Sequence, residues 1–106
     1  GGIGREQLTC GAVTGAVMAI GFRWADPANA GATKGLVYDK TRQVLRRFEA
    51  LHGNTSCREL LGVDLNTPEG QKQAREQNLF RLKCDAYVRD ACGVVEAMLA
   101  EDPAQR

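Results

Sequence analysis

The apolar residues of this chain follow helical spacing from its first third onward. In the first such segment they recur every three or four residues, which is typical of one face of an α-helix. The opposite side carries only small residues, so a helix that begins near residue 8 or 9 is apolar all round, and we expect it to lie centrally. The apolar stripe consists of Val13, Val17, Ile20 and Trp24.

The small side of this first helix includes Gly11 and Gly15. Glycine inside a helix costs about 1 kcal/mol relative to alanine, so two of them indicate a packing or functional reason. We expect a neighbouring helix to approach closely here, so that a Gly15→Leu substitution would overpack the contact.

Two further segments lie in the middle of the chain. A loop is predicted over residues 26–35, followed by a second helix over residues 34–51 that Gly53 ends. The sequence Ser56-Cys57-Arg58-Glu59 has the pattern of a capping box, and it predicts a short helix with Cys57 at its first position. The inner face of the second helix is expected to consist of Val37, Thr41, Val44, Leu45, Phe48 and Leu51.

The last third of the chain predicts two more helices. Thr67-Pro68-Glu69 opens a polar surface helix, with threonine as its cap and proline in its first turn. A final helix over residues 79–100 has a long apolar stripe with Cys84 near its centre. Strand signals are poor throughout. The patterns therefore predict an all-α fold, a small bundle of four to five helices around the Gly/Ala-rich helix. The stripe of the final helix consists of Phe80, Cys84, Tyr87, Val88, Ala91, Val95, Met98 and Leu99.

Length and charge limit the class of protein. The 106 residues suit one domain, over residues 1–106. A net charge of +1 argues against a nucleic-acid surface or a polybasic membrane surface. No window approaches the roughly 20 apolar residues of a membrane helix. The chain opens with Gly1-Gly2-Ile3-Gly4 and not with a charged and then apolar run, so we expect a cytoplasmic protein.

The candidate reactive groups are the thiols of four cysteines. The chain has one histidine and no CxxC pair. Cys57 stands out because the unpaired N–H groups and the dipole of a helix start favour a thiolate, and Arg58 adds positive charge. It is expected to be the first thiol alkylated. The alternative is that Cys57 packs as a small apolar residue.

Spacing limits how these thiols can pair. Cys84 and Cys92 lie eight residues apart on one helix, which is about 12 Å along its axis. A disulfide needs Cα atoms within about 7 Å, so these two cannot bridge each other. Pairing must join Cys10 with Cys57, or either of them with Cys84. Cys92 is expected to lie apart.

The segment Cys10–Gly15, with the pattern CGAxxG, resembles the motif of the C_GCAxxG_C_C family of proteins with a suggested redox activity. The Gly-rich segment before it, the run from Phe48 through Gly53 to Leu61, and Cys84 followed by Val88 are similar to further parts of that family pattern. The resemblance implies that Cys10, Cys57 and Cys84 are the functional thiols. The family pattern has another cysteine upstream of CGAxxG, and this chain begins after that point.

Three functions stay open. The first is a thiol redox protein in which Cys10 and Cys57 cycle between dithiol and disulfide, with Cys84 as a third thiol. The second is an electron carrier with an iron–sulfur cluster or zinc held by these three thiolates and a fourth; the family is similar to the split-Soret cytochromes, which carry an iron–sulfur centre. The third is an accessory subunit of a membrane transporter or enzyme complex, with core cysteines. We expect a redox partner and no nucleic acid, and a homodimer stays open.

Overall fold

Five α-helices make up most of residues 1–102, the part of the chain that the computed structural model describes. No strand occurs within these residues, so the predicted all-α fold is confirmed. A 3₁₀ turn precedes α2 and a π-helical turn precedes α5. The helices are α1 (Gly11–Trp24), α2 (Ala30–His52), α3 (Cys57–Leu61), α4 (Pro68–Glu76) and α5 (Asp85–Glu101), and the two turns are Pro27–Asn29 and Phe80–Cys84.

Two groups of buried side chains hold the helices together. The main core lies where α1, α2 and α5 pack against one another. A second cluster lies beneath α3 and α4, and it contains Cys57. The largest fully buried side chains all belong to the main core and are Phe48, Ile20, Met98, Val13 and Val44.

The second helix is longer than the sequence predicts. The loop expected over residues 26–35 is wrong, because α2 begins at Ala30. The carboxylate of Asp26 accepts the N–H of Ala28 and caps the 3₁₀ turn, which leads directly into α2. Gly53 ends α2 with a φ of 83°, as predicted. Leu51, expected on the inner face, is 60% exposed.

The small side of α1 is open and not covered by a helix. Gly11 and Gly15 are exposed, and a Cβ added at either would have no atom within 4 Å. The expected close helix contact at Gly15 is therefore wrong. The large side chains of the opposite stripe bury more apolar area, so α2 and α5 pack there. The small side instead lines a groove with Val88 and Cys92 of α5.

The final helix is divided by its π-helical turn. The sequence predicts an uninterrupted helix over residues 79–100, but Phe80–Cys84 has π geometry and regular α-helix begins at Asp85. A π turn holds an extra residue and rotates the helix face that follows. Within α5 the buried residues recur at regular helical spacing, and Val88 lies outside that face and is 53% exposed. Phe80, at the start of the π turn, is 44% exposed. The buried residues of α5 are Tyr87, Ala91, Val94 and Met98.

None of the helices within residues 1–102 has the length and apolarity that crossing a bilayer requires.

Candidate functional site

A short antiparallel bridge brings Cys10 and Cys57 side by side. Thr9 and Ser56 form the bridge, the N–H of Cys10 donates to the carbonyl of Thr55 (2.7 Å), and the N–H of Cys57 donates to that of Leu8 (2.6 Å). The bridge thus fixes the backbone of Cys10, which precedes α1, against the segment that leads into Cys57, the first residue of α3.

Cys84 joins this pair from the end of the π-helical turn. It packs against the second cluster, of which Cys57 is a member. Burial raises the pKa of the Cys84 thiol, and negative charge on Cys10 and on Cys57 raises it further. Cys10 packs against the main core, and the bridge between Thr9 and Ser56 connects its segment to that of Cys57. We call Cys10, Cys57 and Cys84 the thiol site.

Tyr87 is a buried member of the main core that also contacts α3. Its hydroxyl donates to the carbonyl of Leu60 (2.8 Å), and its ring meets that of His52 edge-on at 4.7 Å. Burial raises the pKa of Tyr87, followed by negative charge on Cys84, Cys10 and Cys57. The hydroxyl proton is thus committed to a backbone carbonyl of α3.

Cys92 lies on α5, about two helical turns after Cys84. It is exposed on α5, beside the groove along the small side of α1. All four cysteines are free thiols in the structure. Cys92 thus serves as an internal reference for an exposed thiol.

The surroundings of Cys57 differ from those expected of a reactive thiol. Cys57 is the first residue of α3, as predicted, but it is only 5% exposed. The N–H groups of Cys57 and Arg58 donate to the carbonyls of Leu8 and Gln7, so these donors are not free to stabilise a thiolate. The argument for Cys57 as the first thiol alkylated thereby loses its basis.

The predicted capping box is also absent. Ser56 makes no side-chain cap to α3, and its hydroxyl donates instead to the carbonyl of Gln7 (3.4 Å). The guanidinium of Arg58 lies 3.4 Å from the carboxylate of Asp64. Contact with the preceding segment therefore overrides the local capping pattern. The cap of α4 forms as predicted, since Thr67 Oγ accepts the N–H of Gly70 (3.0 Å).

The ring of His52 packs against the ring of Tyr87. The sequence suggests a loop or capping residue, and the structure places it as the last residue of α2. Its ring packs against Phe48 at 4.8 Å, and its Nε2 lies 2.9 Å from a carboxylate oxygen of Asp90. The spacing of four residues puts Phe48 and His52 on one face of α2, which is consistent with their contact. No pattern in the sequence indicates the contact of His52 with Asp90.

A metal centre was the second expectation for these cysteines. Within residues 1–102, no three His, Cys, Asp or Glu side chains are arranged so that they could hold a metal ion. The thiols as placed therefore do not fit the ligand set of an iron–sulfur cluster or a zinc ion.

The raised pKa of Cys84 predicts a pH dependence. The fold favours the protonated thiol, so the stability this provides is present below the unfolded pKa of about 8.5 and is lost as pH rises through the folded value. We expect the alkylation rate of Cys84 to rise at higher pH in the folded protein than in urea. The measurement is mass-spectrometric labelling from pH 7 to 11.

The variant Cys10→Ser removes one of the neighbouring negative charges that raise the pKa of Cys84 and serves as the comparison. It should move the labelling midpoint of Cys84 to lower pH. An unchanged midpoint would show that the charge of Cys10 does not reach Cys84.

Comparison with known proteins agrees with the motifs. A family model described as "Putative redox-active protein (C_GCAxxG_C_C)" matches residues 1–98, which includes all four cysteines. The searches of curated proteins and of solved structures find no significant match.

Proposed function

Because the chain belongs to the C_GCAxxG_C_C family of putative redox-active proteins, we propose that it is a thiol redox protein in which Cys10 and Cys57 cycle between dithiol and disulfide. The observation that carries the proposal is the bridge between Thr9 and Ser56, which joins the segments that precede Cys10 and Cys57. It supports the choice of these two thiols as the pair.

The proposed reaction is a two-step thiol–disulfide exchange. The thiolate of Cys10, which is partly exposed, attacks one sulfur of a substrate disulfide and releases the other as a thiolate. The Cys57 thiolate then attacks the Cys10 sulfur of this mixed disulfide and releases the second substrate thiolate. The substrate gains two electrons and becomes a dithiol, and the protein ends with a Cys10–Cys57 disulfide. A second dithiol reduces it again by the reverse exchange.

Cys84 is the third thiol of this scheme. Burial raises the pKa of Cys84, which disfavours its thiolate, the nucleophilic form. It is therefore less suited to the first attack than partly exposed Cys10. The thiolate of Cys84 could attack the Cys10–Cys57 disulfide, which would form a disulfide between Cys84 and one of these cysteines and release the other as a thiolate. A second dithiol then reduces the disulfide that remains.

The proposed function includes a cytoplasmic location and a redox partner. Dithiol cycling needs a surrounding pool that reduces the disulfide, which the cytoplasm supplies. The partner is a protein or small molecule that carries a disulfide accessible to Cys10.

The experiment is disulfide mapping after controlled oxidation. Anaerobically purified, fully reduced protein is treated with glutathione disulfide, blocked with an alkylating reagent and digested for mass spectrometry. We expect loss of two thiols, a Cys10–Cys57 linkage, and recovery of both thiols with dithiothreitol. Cys10→Ser and Cys57→Ser should each abolish the linkage, whereas Cys92→Ser should leave it unchanged.

Two outcomes would replace the proposal. Stoichiometric iron and sulfide in the reduced protein would favour the cluster-binding carrier. Failure of Cys10, Cys57 and Cys84 to react before denaturation would favour the accessory subunit with packing cysteines.

A further inference from the structure

The segment before α1 lies directly over Cys57. We call residues 1–9 the N-terminal strap. Gly2 in this strap is buried, and a Cβ added to it would lie 2.6 Å from the Cβ of Cys57. The strap backbone therefore touches the cysteine itself, which explains why Cys57 is 5% exposed while Cys10 and Cys84 remain partly open.

Gln7 anchors the strap. It is 4% exposed and is the one buried polar side chain among the described residues. Its Nε2 donates to the carbonyl of Val63 (2.8 Å), and its Oε1 accepts the N–H of Leu65 (2.8 Å). Its own carbonyl accepts the N–H of Arg58 (3.3 Å). One residue thus ties the strap to α3 and to the chain that follows α3.

The strap does not hold this shape by its own preference. Ile3, Arg5 and Gln7 have φ angles of 64°, 68° and 57°. This left-handed region is disfavoured for residues with a side chain, above all for β-branched isoleucine. The strap should leave Cys57 once its anchors are removed, because the relaxed backbone prefers other conformations.

We propose that Gln7 is a positioning residue that holds the strap over Cys57, so that Cys57 reacts with Cys10 and not directly with an external thiol or disulfide. The assignment of Cys10 as the attacking thiol rests on the proposed function. The shielding of Cys57 does not, since it can be measured without any disulfide being formed in the protein. Such shielding gives the exchange its order, because an external disulfide meets Cys10 first.

The test measures how fast Cys57 reacts relative to exposed Cys92. A Cys10→Ser background removes the competing internal disulfide, and 4,4′-dithiodipyridine serves as the probe. Gln7→Met keeps the size of the side chain and removes both side-chain hydrogen bonds, whereas Glu6→Met is the control at an exposed neighbour. We expect Gln7→Met to raise the Cys57/Cys92 rate ratio at least tenfold, and Glu6→Met to leave it within twofold.

A second variant tests positioning by pH. In Gln7→Glu, a protonated carboxyl can donate to Val63 and accept from Leu65 as glutamine does, whereas the carboxylate cannot donate. The Cys57/Cys92 ratio should be close to that of the parent at pH 4 and raised at pH 7, while the parent ratio changes less. The pH profile of Gln7→Glu therefore tests whether Gln7 holds the strap over Cys57 even if Gln7→Met fails to fold.

The proposal is overturned if the ratio in folded Gln7→Met stays within twofold of the parent, or if the ratio in Gln7→Glu follows the parent across pH. Either result leaves the disulfide-mapping experiment intact. A missing Cys10–Cys57 linkage, conversely, would reject the redox assignment while the shielding of Cys57 could still be observed.

Discussion

Replacing Phe48 with alanine should lower the free energy of unfolding by about 3–5 kcal/mol. Phe48 is 0% exposed, and its ring contacts those of His52 and Tyr87. Its loss leaves a cavity between α2 and α5 and removes the support of Tyr87, which borders the thiol site. The measurement is urea denaturation under reducing conditions, followed by circular dichroism.

Leu51→Ala is the matched control on the same helix. The sequence assigns both residues to the inner face of α2, but Leu51 is 60% exposed. Its truncation should change the stability by no more than about 0.5 kcal/mol. Equal losses in the two variants would mean that the end of α2 packs as the sequence predicts and not as the structure shows.

Replacing Gly70 with alanine should destabilise the protein by about 1–3 kcal/mol or more. A Cβ at Gly70 would overlap the carbonyl oxygen of Asp64. The backbone has little freedom to move away, because the N–H of Gly70 donates to Thr67 Oγ in the cap of α4. Urea and thermal unfolding of the variant and the parent measure the loss.

Gly15→Ala provides the opposite result for the same chemical change. A Cβ at Gly15 would have no atom within 4 Å, so the variant gains the helix preference of alanine without a clash. We expect a gain of about 0.5–1 kcal/mol. A loss at Gly15 would indicate that its side of α1 is covered in solution.

The thiol site shows how far sequence reasoning reached. The motif resemblance singled out Cys10, Cys57 and Cys84, and the structure joins the segments of the first two through the bridge between Thr9 and Ser56. Sequence reasoning could not predict that the N–H groups at the start of α3 are occupied, because their partners are backbone carbonyls about fifty residues earlier in the chain. The Gly-rich part of the strap is similar to the family pattern, but neither that similarity nor any periodicity indicates that the strap covers Cys57 or that Gln7 anchors it.

The sequence by itself determined the helices. Their apolar residues recur at the period of an α-helix, and local signals such as Gly53 and Thr67 ended or began them as predicted. These features depend on neighbours within a few residues, for which backbone sterics and capping hydrogen bonds are sufficient causes.

Only the tertiary structure decided which surfaces are covered. Because α1 is apolar all round, its sequence alone could not reveal that the side with the larger side chains is buried while Gly15 stays open. Val88 and Val94 of α5 are equally apolar, but packing in the main core buries Val94 and leaves Val88 exposed. The donors at the start of α3 are occupied by a distant segment. Each outcome follows from competition for buried area or hydrogen bonds between parts of the chain that are far apart in sequence.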